Sequence, residues 1–228
     1  MRKYILSLIL GCGIVLCSQV VYAQTVDKKT ILDIAELIKN FTPEQLDKYI
    51  TKSVDANVSD KDRWTALMLA AVSSSDPEVV ARLIDKTTNV DTKNGAFLVA
   101  AVFNQNPKVV TTLIDKITDI NVKDSAGITL INNALHFAAS YNKNPEVTET
   151  LLKHGADIES RDDNVMTPLM CASRDNENPE VIETLLKYGA DIGAESNFGP
   201  PLRYAPQNKN PKIAELLKKH TIEIIKVL

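Results

Sequence analysis

Five times along this chain an asparagine or aspartate stands directly before a proline, a charged residue and a β-branched one. The segments are Asp76-Pro77-Glu78-Val79, Asn106-Pro107-Lys108-Val109, Asn144-Pro145-Glu146-Val147, Asn178-Pro179-Glu180-Val181 and Asn210-Pro211-Lys212-Ile213. The prolines lie 30, 38, 34 and 32 residues apart, so the mean period is about 33. A period of this length confines the chain to a solenoid of stacked helical units, because one such unit cannot bury its apolar face alone.

The content of each unit follows from elementary helix physics. An Asn or Asp side chain accepts from the free N–H groups of a first helical turn. Proline is tolerated at the next position, where its missing N–H had no partner. Apolar residues then recur at helical spacing, as in Val79, Val80, Leu83 and Ile84 or Val109, Val110, Leu113 and Ile114. This predicts an amphipathic outer helix of about ten residues in each unit. An inner helix precedes each one, read in Ala66-Leu67-Met68-Leu69-Ala70-Ala71, Ala96-Phe97-Leu98-Val99-Ala100-Ala101, Ala134-Leu135-His136-Phe137-Ala138-Ala139 and Pro168-Leu169-Met170-Cys171-Ala172-Ser173. Thr65 and Thr167 stand at N-cap positions of this helix, and the alanine pairs allow close helix approach.

Composition agrees with an all-α chain. Aromatic residues make up 5% and there are 8 glycines, lean supplies for a large β-sandwich. The net charge of −3 gives no electrostatic footprint for nucleic acid. Residues 1–23 carry the three parts of a secretory leader: Arg2 and Lys3, an apolar run over 4–17, and Val21-Tyr22-Ala23 before Gln24. The expected product is an exported chain, periplasmic or extracellular, with cleavage after Ala23. Cleavage removes two basic residues and no acidic one, leaving a net charge of −5, and leaves Cys171 alone of three cysteines, so no intramolecular disulfide can form. The segment Ile9-Leu10-Gly11-Cys12 loosely matches a lipobox and opens the alternative of a lipid-anchored structural component of the cell envelope. No further run is long enough to span a membrane.

Thr167-Pro168-Leu169-Met170-Cys171-Ala172 and Leu151-Leu152-Lys153-His154-Gly155-Ala156-Asp157-Ile158 resemble the inner-helix and outer-helix signatures of ankyrin repeats, as does Leu185-Leu186-Lys187-Tyr188-Gly189-Ala190-Asp191-Ile192. The resemblance covers about residues 60–220 and implies helix–turn–helix units with hairpin fingers, stacked around a concave face. Residues 59–228 then form about five units, the last a C-terminal cap. Residues 24–58 read as a degenerate N-terminal capping unit, with Pro43 lying 34 residues before Pro77. The family role is binding another protein, without catalysis and without a cofactor or metal, and the chain is expected to act as a monomer. Family geometry places binding at the finger tips and at the ends of the inner helices. Here those places hold Trp64, Ile128 and Met166 at the tips and Val102, Phe103, Tyr141 and Arg174 at the helix ends. Of these, Trp64, Phe103 and Tyr141 are expected to be partly exposed on one surface.

Several departures carry their own expectations. The second unit lacks about four residues near Asn94-Gly95, which predicts a stunted finger, and Leu130-Ile131-Asn132-Asn133 adds one helical turn (about four residues) to the third inner helix. Gly155 and Gly189 supply left-handed helix ends, whereas Thr87 and Ile117 hold the same place in earlier units and must turn differently. His136 fills the family's structural histidine place, bonding to backbone across the hairpin, while His154 and His220 fall near outer-helix ends. Neither a nucleophile–base pair nor a calcium-type series of carboxylates accompanies these residues. Cys171 reads as a small core residue. Residues 221–228 depart from the family ending and either extend the last helix over the terminal core or bind something.

Overall fold

The computed structural model describes residues 42, 44, 65–124 and 127–227. The segment read as a leader, nearly all of the segment read as a capping unit and Trp64 lie outside the described residues. Among residues 65–227, ten α-helices alternate between two layers. The inner layer holds α1 (Ala66–Ser73), α3 (Val90–Phe103), α5 (Leu130–Tyr141), α7 (Pro168–Asp175) and the short α9 (Pro201–Tyr204), which runs on into a 3₁₀ turn. The outer layer holds α2 (Pro77–Lys86), α4 (Pro107–Lys116), α6 (Pro145–Lys153), α8 (Pro179–Lys187) and α10 (Lys212–Val227). Each helix packs on its counterpart in the next unit and on its partner in its own.

One apolar core runs the length of the stack. Leu67, Phe97, Leu135 and Leu169 hold one register position on successive inner helices and are fully buried. Val79, Val80 and Leu83, with their counterparts Val109, Val110 and Leu113, close the core from the outer layer. A smaller cluster of Met166, Met170, Cys171, Ala194 and Tyr204 lies apart from it. Burial and the nearby Asp162 carboxylate push the Cys171 thiol far above its usual range, as befits an inert core sulfur.

The Asn-x-Asn-Pro segments do more than cap helices. The second asparagine caps as expected: Asn106, Asn144, Asn178 and Asn210 accept through Oδ1 from the backbone N–H two residues on, at 3.0–3.1 Å. Its Nδ2 then donates 2.7 Å back to a carbonyl of the preceding unit, at Ser75, Gln105, Lys143 and Glu177 in turn. The first asparagine forms a second, deeper row. Asn142 Nδ2 donates 2.9 Å to both Ala101 O and Asn104 O, while its Oδ1 accepts from Asn144 N. Asn104, Asn176 and Asn208 repeat this geometry. Two ladders of carboxamides thus stitch each unit to the one before. Their oxygens are committed to backbone N–H groups, which is the opposite of a calcium loop.

The ladders begin at the first described unit. Ser74 and Asp76 hold the two places there, and Asp76 still caps Glu78 N at 2.9 Å. A carboxylate has no N–H to donate backwards. Asn178 is half-exposed, so water can replace part of what its side chain supplies. Asn178→Ala is therefore expected to cost about 0.5–2 kcal/mol in urea unfolding, within the range for a lost cap.

Local departures follow their residues. Four added residues start α5 one turn early, with Thr129 capping Asn132 N, so α5 has 12 residues against 8 in α1 and α7. The second unit forms no finger at all, a step beyond the stunted one expected. Asn89 caps Thr92 N at 2.9 Å, and residues 90–95 wind into the helix, extending α3 to 14 residues. With too few residues for two finger arms, helix is the conformation left that satisfies the backbone. Gly155 and Gly189 take φ values of +91° and +95°, whereas Thr87 and Ile117 leave their helices in extended conformation. His154 follows the last residue of α6, but α10 continues to Val227, so His220 lies inside that helix and not at its end. The extension does not fold back over the core: Ile222 is 52% exposed and Ile225 66%.

Candidate protein-binding surface

Among the described residues three fingers project from the inner layer, the first with arms at 120–124 and 127–129, the others over residues 157–166 and 191–200. The first closes through Asp124 N to Ile128 O (2.9 Å) and a bridge between Lys123 and Thr129. The second closes through Asp162 N to Met166 O (3.0 Å), with Met166 N donating back to Asp162 Oδ1 (2.8 Å). The third closes between Ser196 and Gly199. Gly127 and Gly199 turn their fingers with φ of +83° and +105°. Adjacent fingers are joined by Arg161, which donates to Val165 O (3.0 Å) in its own finger and to Glu195 O (2.7 Å) in the next.

His136 ties an inner helix to the following finger. Its Nε2 lies 3.1 Å from both Ser160 O and Met166 O, on opposite arms, and its Nδ1 lies 2.8 Å from Asn132 O. It is 5% exposed. This is the structural role that its place in the motif implies.

The residues singled out from sequence divide into two groups. Phe103 and Tyr141 hold the same register position, directly before the ladder residues Asn104 and Asn142, and both are half-buried. They therefore sit on the same side of adjacent inner helices. Phe103 borders an open depression of about 470 Å³ shared with Val72, Ser73 and Gln105. Ile128 is half-exposed on the first finger. Val102 and Met166, by contrast, offer no surface. Val102 belongs to the packed face of α3, and Met166 points beneath its finger into the cluster with Met170, Cys171 and Tyr204. Arg174 aligns with Val102 and Ser140, one place before the Phe103 and Tyr141 row, where Asp175 stands instead. Its guanidinium binds the Asp175 carboxylate at 2.8–3.1 Å and contacts Met166 Sδ at 3.3 Å, and that carboxylate raises its proton affinity further.

Two exposed tip residues escape the sequence reading. Phe198 is 71% exposed and borders a depression on the last finger with Glu195 and Arg203, its ring edge-on to Tyr204 at 6.5 Å. It stands two residues before Pro200 as Met166 stands two before Pro168, and that spacing would have found it. Val165 is 43% exposed at φ +62°, the single non-glycine residue with positive φ among those described. Its neighbours in the other fingers use glycine for such a turn. A β-branched residue held there stores backbone strain of order 1 kcal/mol or more. Val165→Gly is accordingly expected to raise stability by about 1 kcal/mol, read as a higher urea midpoint at unchanged slope.

The family model of ankyrin repeats, in three copies, matches residues 25–124 and 135–227. The chain belongs to the ankyrin-repeat family. The match reaches upstream of α1, across the segment read as a degenerate unit. No curated protein matches the chain. As an ankyrin-repeat protein it is a protein–protein interaction module with a helical-solenoid fold. Among the described residues no helix is long and apolar enough to cross a membrane, and no group of three acidic, histidine or cysteine side chains could hold a metal ion.

Proposed function

We propose that this ankyrin-repeat protein is an exported, non-enzymatic module that captures another protein, as a monomer, on its fingers and inner-helix ends. The observation that carries the reading is the side-chain chemistry of that face. Phe198 and Val165 are exposed at the finger tips, and Phe103 and Tyr141 are half-exposed in one register on neighbouring helices. Aromatic anchors with part of their surface already buried lose little conformational freedom on binding and dominate interface energetics. Trp64 holds a finger-tip place by sequence, directly before Thr65 as Ile128 stands before Thr129, and is included in the proposed contact set. Arg174 is included through its outer edge, held rigid by Asp175.

A photo-crosslinking residue placed at Tyr141 or Phe198 is expected to yield one discrete adduct in the native host, absent when placed at the exposed outer-helix residue Glu183. Equal adducts from all three positions would refute the assigned face. Export predicts a mature N-terminus at Gln24 by mass spectrometry. A diacylated Cys12 would replace this reading with that of an anchored envelope component.

A further inference from the structure

We propose that the outward face of α10 docks on an anionic lipid surface. In register with α8, whose last residue is Lys187, an outer helix of ordinary length would end at Lys219, because the adjoining prolines are 32 residues apart. The helix instead runs on to Val227, about 12 Å further at 1.5 Å per residue. This overhang carries Ile222 and Ile225, 52% and 66% exposed.

At about 100° per residue, Lys218, Ile222, Ile225 and Lys226 fall within a sector of roughly 100°, opposite the buried Ile213 and Leu217. Glu215 also falls inside that sector, nearer the start of the helix and two turns before Ile222, and Lys219 flanks it. Glu223 lies to one side, drawn toward Lys219 (4.0 Å) and His220 (3.7 Å).

Charge selects the occupant. The helix holds four lysines and two glutamates, a net +2, in a chain whose overall charge is −3. Exposed β-branched residues are neither good helix formers nor stable in water, so helix propensity does not account for them. Apolar side chains flanked by lysines match an interfacial helix, whose apolar residues enter the boundary layer while lysine stems lie along it and their ammonium groups meet acidic headgroups. A second copy fits poorly, since two isoleucines per chain bury far less than the roughly 1,200 Å² of a stable interface. The face lies in the outer layer, away from the fingers, so a protein partner and a lipid surface could be held together.

Flotation of the mature chain with vesicles of phosphatidylglycerol and phosphatidylcholine, and with phosphatidylcholine alone, tests the proposal. The chain is expected to float with the mixed vesicles and at least about tenfold less with the neutral ones, with salt weakening the difference. Ile222→Ser with Ile225→Ser, and Lys218→Glu with Lys226→Glu, should each lower binding about tenfold at unchanged melting temperature. No flotation of the wild type, or equal flotation of wild type and both variants, overturns it. So does a vesicle-free dimer that the isoleucine variant abolishes, which would assign the face to a second copy.

Discussion

Asn142→Ala is expected to lower the stability of the array by about 3–5 kcal/mol. The side chain is fully buried and satisfies two carbonyls, at Ala101 and Asn104, and two N–H groups, at Asn144 and Gln105. Each stranded buried group costs about 1–3 kcal/mol, partly relieved where water can enter. Against the roughly 5–15 kcal/mol that holds a domain together, this is a large fraction. Because neighbours couple only through their interfaces, a break at the third unit should also separate the unfolding of the two halves. Asn144→Ala, on the more exposed ladder, should cost only about 0.5–2 kcal/mol. Urea titrations that show Asn142→Ala to be no worse than Asn144→Ala would remove the inner ladder's role. Asn142→Asp adds a signature in pH. A carboxyl held against two carbonyls has its folded pKa raised above the unfolded value of about 3.9, so well below pH 4 only the loss of one of the two donors is felt, and a further penalty grows as pH rises from that value through the folded pKa.

Phe97→Ala is expected to cost about 3–5 kcal/mol, the range for truncating a fully buried aromatic residue. Phe97 is the one aromatic side chain in the row of Leu67, Leu135 and Leu169, packed between α1 and α5. Phe97→Leu should cost less than about 1.5 kcal/mol, since the neighbouring units show that leucine fills this place. A small loss for Phe97→Ala by thermal or urea unfolding would mean that the second unit collapses freely around the gap. That outcome would contradict the full burial of Phe97 between α1 and α5.

The candidate surface was less legible than the fold. Val102 and Met166 were chosen because apolar residues at family contact positions suggest exposure. Their burial depends on how α3 and the second finger pack, which no local pattern records. Phe198 gives no such signal because the last unit has Gly199-Pro200-Pro201 where the unit before it has Thr167 and the single Pro168, although its spacing to Pro200 matches that of Met166 to Pro168. Val165 could not have been found, since valine gives no signal for positive φ; its neighbours and Arg161 hold it there.

The sequence alone determined the repeat, the order of inner and outer helices, their caps and most of the core. Each of these rests on interactions within a few residues of chain: an asparagine beside its own first turn, a glycine at a helix end, apolar residues on one helical face. The tertiary structure decided what depends on the distance between units. It turned the Asn-x-Asn-Pro segments from caps into two ladders, because the second hydrogen-bonding end of each carboxamide reaches a carbonyl 30 or more residues away. It erased the second finger and left Ile222 and Ile225 in solvent, because helix continuation and packing against a neighbour compete, and only the assembled stack sets which prevails.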